Sequence, residues 1–92
     1  MMGLKMRRQV TEEALEISVA TATAEALLEI GMKYCTGHEV AQNLVSAHKW
    51  FNLAAMKGSE TAKLYRCEIS REMSPSEVAD AQHQARAWLT LH

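Results

Sequence analysis

Sliding the chain against itself by 38 positions brings Ala24 onto Ala62, Val40 onto Val78, Ala47 onto Ala85, Trp50 onto Trp88 and Leu53 onto Leu91 without a gap. Thr23/Thr61, Glu39/Glu77 and Ala41/Ala79 fall in the same register. Trp50 and Trp88 are the only tryptophans in the chain, and each follows an alanine at the third position before it. A recurring period of this length constrains the fold more than composition does, because a unit that cannot bury its apolar face alone must stack on a copy of itself.

The units read as helices. Alanine, leucine, glutamate and methionine, all good helix formers, recur throughout, so helices and not a sheet are expected. Thr11 opens a helical run with Glu12 and Glu13 in its first turn, where negative charge suits the helix dipole. A helix is expected over residues 23–35, its inner face formed by Ala24, Leu27, Leu28, Gly31 and Tyr34. Gly37 ends it in a left-handed conformation. A third helix runs from Asn43, a fitting N-cap, to Lys57, with Ala47, Trp50, Phe51, Ala54 and Ala55 inward. A fourth spans residues 60–72 and carries Ala62, Leu64, Tyr65 and Ile69. Ser74-Pro75-Ser76-Glu77 is a capping box with proline at the first helical position, and it starts a last helix bearing Val78, Ala81, Ala85, Trp88 and Leu89. The expected organisation is a leader at residues 1–10 and one domain at 11–92: an N-terminal helix at 11–22, a full unit at 23–58 and a degenerate unit at 59–92.

The spacing Ala24…Leu28-x-x-Gly31-x-x-Tyr34-x-x-Gly37-x-x-Val40…Ala47-x-x-Trp50-Phe51…Ala54-Ala55-x-x-Gly58…Ala62 closely resembles the Sel-1-like repeat family, relatives of tetratricopeptide repeats. The resemblance covers one full unit. It implies an all-α, short α-solenoid of antiparallel helix hairpins, about five helices in all, in which the matched positions are architecture. The second unit keeps Ala62, Val78, Ala85 and Trp88 but has Ile69 in place of Gly31 and Pro75 in place of Gly37. The family loop usually has a second glycine where Glu39 stands and an aspartate where Asn43 stands. The resemblance implies a scaffold or adaptor that contacts another protein. First helices line the concave face in such solenoids, which points to Glu25, Glu29, Met32 and Lys33 and, by the repeat offset, Lys63, Cys67, Ser70 and Arg71 as a mixed-charge protein-binding surface.

Ten basic and eleven acidic side chains give a formal net charge of −1. That balance supplies no concentrated basic face for nucleic acid. Lys5, Arg7 and Arg8 are too short a cluster, although Met1, Met2, Leu4 and Met6 beside them suit adaptable apolar contacts. No apolar run approaches the ~20 residues of a membrane span, and glutamates follow the basic start, so neither membrane insertion nor a secretory signal is expected. Cys35 and Cys67 suit a reducing, cytoplasmic setting as small inert thiols.

His38, His48, His83 and His92 are expected in solvent or loops, because neither Cys-x-x-Cys nor His-x-x-x-His spacing occurs. With no glycine-rich phosphate loop and no nucleophile elbow, the sequence nominates no catalytic, cofactor or metal residue, and we expect no enzyme. The readings are therefore a protein-binding adaptor, a homo-oligomeric structural module stacking through an uncapped end, and, third, a regulator answering to thiol chemistry or metal.

Overall fold

The structure is a computed structural model and describes residues 23–91. Four helices follow one another: α1 (Ala24–Thr36), α2 (Leu44–Met56), α3 (Glu60–Ser70) and α4 (Pro75–Leu91). No strand occurs among the described residues, as expected for an all-α chain. The leader at 1–10 and the helix expected at 11–22 lie outside the described residues.

Each helix begins where a side chain can satisfy an otherwise orphaned backbone N–H. Ala26 N donates to Thr23 Oγ1 at 3.1 Å, Ser46 N to Asn43 Oδ1 at 3.1 Å, and Ala62 N to Ser59 Oγ at 3.0 Å. At α4 the cap is reciprocal: Glu77 N donates to Ser74 Oγ at 3.1 Å and Ser74 N to Glu77 Oε1 at 2.8 Å. Gly37 ends α1 at φ 79°, and the N–H groups of Gly37 and His38 both reach the Lys33 carbonyl. Glu39 also adopts a left-handed φ, 71°, a conformation that glycine takes more readily. Its carboxylate is held 2.7 Å from Lys33 Nζ.

Several of the positions matched at the offset of 38 share environments. Ala47 and Ala85 are buried, Val40 and Val78 half-buried, and Trp50 and Trp88 buried edge to face with ring centroids 6.5 Å apart. Helix α2 is the hub on which α1, α3 and α4 each pack. The expected one-sided stripe on α2 therefore widens into a continuous buried run from Ser46 to Ala54.

The two hairpins differ. Helices α1 and α2 approach so closely that a Cβ on Gly31 would lie 2.5 Å from Phe51 Cδ1 and Cε1. The corresponding positions in the second unit hold Ile69 and Leu89. There α4 packs across α2 instead of closing onto α3 to the same degree, and Leu89 is 41% exposed where Phe51 is fully buried.

Candidate functional site

Two features stand out. One is an open trough between α1 and α3; the other is a polar network joining α2 to α3.

The trough has a volume of about 460 Å³. Cys35 forms its α1 side. Thr61, Leu64, Tyr65 and Glu68 of α3, with Glu72 of the turn that follows it, form the opposite side, over a floor that includes buried Ile69. Leu64 and Tyr65 are apolar residues of this helix, like Ala62 and Ile69, but they do not share their burial. Leu64 is 68% exposed and Tyr65 38%, whereas Ala62 and Ile69 are the buried residues of α3. The Tyr65 ring stacks on Phe51 at 5.8 Å, which fixes it in the trough wall. Burial, and secondarily the Glu72 carboxylate, push the Cys35 thiol above the usual range, so the neutral thiol is favoured there.

The network begins at Arg66. Its guanidinium donates to Asn52 Oδ1 at 2.7 Å. With that oxygen occupied, the Asn52 amide nitrogen faces His48 Nδ1 at 3.2 Å and donates to it. His48 Nε2 then carries the proton and donates to Ser70 Oγ at 3.0 Å, while Ser70 Oγ donates back to the Arg66 carbonyl at 2.7 Å. Every hydrogen bond runs in one direction around the circuit. His48 is 1% exposed, which corrects the expectation of a solvated histidine. Burial, reinforced by the Arg66 charge, holds its pKa below the ordinary 6.5.

A stability change with pH follows. Above 6.5 the imidazole is neutral in both the folded and unfolded chain. As pH falls below 6.5 the unfolded chain takes up a proton that the folded chain refuses, so stability is lost, by at most about 1.4 kcal/mol per pH unit, until the folded pKa is reached. The urea midpoint of the wild-type chain is expected to drop between pH 7.5 and 5.5 more steeply than that of His48→Asn.

The residues expected to bind a partner separate into groups. On α1, Glu25 and Glu29 are exposed and Met32 is half-buried; by helical spacing they border the stripe of Leu28 and Cys35. Lys33 stands one turn beyond Glu29 and is paired with Glu39. On α3, none of Lys63, Cys67, Ser70 and Arg71 lines the trough. Lys63 pairs with Glu60 at 3.3 Å, the Ser70 hydroxyl is engaged by His48, and Arg71 forms the exposed C-cap. Cys67 is exposed and Cys35 half-buried, so the expectation of a buried or half-buried thiol fits Cys35 only; both are unbridged. Leu64, Tyr65, Glu68 and Glu72 were not singled out as binding residues by the sequence reasoning. The repeat offset gives no signal for them, because it carries half-buried Ala26 and buried Leu27, Ile30 and Tyr34 onto these four exposed positions.

Among the described residues, no three His, Cys, Asp or Glu side chains come together in a metal-holding arrangement. No helix among them is long and apolar enough to cross a membrane. Comparisons with protein-family models, curated proteins and solved structures returned no match.

Proposed function

We propose that the chain is a helical-repeat protein-binding module, an adaptor that receives a segment of another polypeptide in the trough between α1 and α3, with no catalysis and no cofactor. The observation that carries this reading is the placement of Leu64 and Tyr65. Two large apolar side chains stand open to solvent on the wall of a concavity, where a neighbouring polypeptide would remove them from water. The resemblance of residues 24–62 to Sel-1-like repeats supports it from the sequence side.

A photo-crosslinking residue tests the reading when placed at Leu64 and, as a control, at Lys63, which is exposed but outside the trough. The expected outcome is adducts with a different polypeptide from position 64 and none from position 63, with the free chain sedimenting as a monomer at micromolar concentration. Equal labelling from both positions would count against the trough as the contact.

Self-association has an observation of its own. Met56 is 65% exposed and Leu89 41%, and together with Ala85 they line a second cavity of about 310 Å³ between α2 and α4. A dimer dispersed by Leu89→Glu would favour this second reading.

A further inference from the structure

The trough combines apolar depth with charge of one sign. Among the described residues, the acidic and basic side chains lining it are carboxylates, Glu68 on α3 and Glu72 in the turn that follows that helix. Exposed Glu25 and Glu29 border the facing stripe of α1, and among the described residues neither lysine nor arginine lines the cavity. The nearby lysines of these two helices point their charge elsewhere, Lys33 to Glu39 and Lys63 to Glu60. The one-sided charge is local, because the chain as a whole is nearly balanced, with ten basic and eleven acidic side chains.

We infer that the occupant of the trough is a cationic, apolar-anchored polypeptide segment of a partner protein: a leucine- or methionine-sized side chain seated against Leu64 and Tyr65, with flanking lysine or arginine side chains on Glu68 and Glu72. This inference rests on the reading of the trough as the binding site and adds the chemical class of what it binds. The two parts do different work. The apolar anchor supplies affinity by removing Leu64 from water, and the carboxylates select by sign, since a segment with acidic flanks is repelled while it loses hydration. Sources of cationic segments other than a partner protein, the chain's own Lys5-to-Arg8 stretch included, are distinguished by the test.

Fluorescence polarisation of the full chain decides it. The probe is a labelled peptide of about a dozen residues with leucine anchors among lysines, set beside matched peptides carrying serine or glutamate in place of lysine. The lysine peptide is expected to bind about tenfold or more tighter than the glutamate peptide, with the gap shrinking as salt is raised. Leu64→Asp should abolish binding of all three, and the double variant Glu68→Lys/Glu72→Lys should invert the order. All of these side chains are exposed, and circular dichroism checks that the variants keep their helices. Equal affinity for the three peptides, lost in Leu64→Asp, overturns the charge selection and leaves the adaptor reading standing. Lysine-peptide binding that ignores both variants places the cation elsewhere and overturns the inference, as does a preference for the glutamate peptide. Binding of none overturns it too, and the crosslinking from position 64 then decides the adaptor reading separately. Wild-type affinity that rises on removing residues 1–10 assigns the trough to the chain's own leader and overturns the partner segment.

Discussion

Trp50→Ala is expected to cost about 3–5 kcal/mol, enough to unfold much of so small a domain. Trp50 is fully buried at the centre of α2, the helix on which the three others rest. Truncation removes the largest side chain of the core and the edge-to-face contact with Trp88 at 6.5 Å. The surrounding alanines, Ala47, Ala54, Ala81 and Ala85, are too short to collapse into the space. The Trp50 indole Nε1 has no hydrogen-bond partner among the described residues, so what is lost is packing and the contact of Lys49 Nζ over the ring at 4.7 Å, not a hydrogen bond. Trp50→Phe keeps most of the ring and removes that unsatisfied donor, and it should fall well short of the alanine cost. Urea denaturation of the three chains measures the series. Glu29→Ala, an exposed change on α1, serves as the neutral control. A Trp50→Ala chain with the wild-type midpoint would show that the helices are not assembled around this residue.

The parts of this fold that were legible are those settled by local chemistry. Asn43, Gly37 and the Ser74-to-Glu77 box place helix ends because a side-chain oxygen or a free φ is needed at those positions whatever surrounds them. The tryptophans were legible because a side chain of that size recurring at a fixed offset has few places to go. The polar face of α2 was not. Helical spacing assigns His48 and Asn52 to the outside, yet α3 covers them, and only the tertiary arrangement decides that. The sequence did hold a hint, since His48/Asn52 and Arg66/Ser70 are polar pairs at i,i+4 on successive helices, each able to meet the other. The same limit hid the trough. Leu64 and Tyr65 count as apolar wherever they stand, and composition cannot tell a core face from an open wall. Lys33, Lys63 and Ser70 read as free surface in one dimension and turn out to be engaged by Glu39, Glu60 and His48.

Gly31→Ala separates the need for space from the need for backbone freedom. An added methyl meets the Phe51 ring at 2.5 Å, and that ring is fully buried and stacked on Tyr65, so it has little room to withdraw. Overpacking of this kind costs about 1–3 kcal/mol or somewhat more, while the better helix propensity of alanine returns roughly 0.8–1 kcal/mol. The clash wins, and a net loss is expected in the urea midpoint. Trimming the ring tests the cause: in a double-mutant cycle, Gly31→Ala with Phe51→Leu should lose less than the sum of the two single changes. Gly37→Ala offers the contrast. Its loss comes from a φ of 79°, with the nearest atom at an ordinary 3.4 Å, and Phe51→Leu should not relieve it. If the Gly31 and Phe51 changes simply add, the close approach of α1 and α2 is not set by this contact.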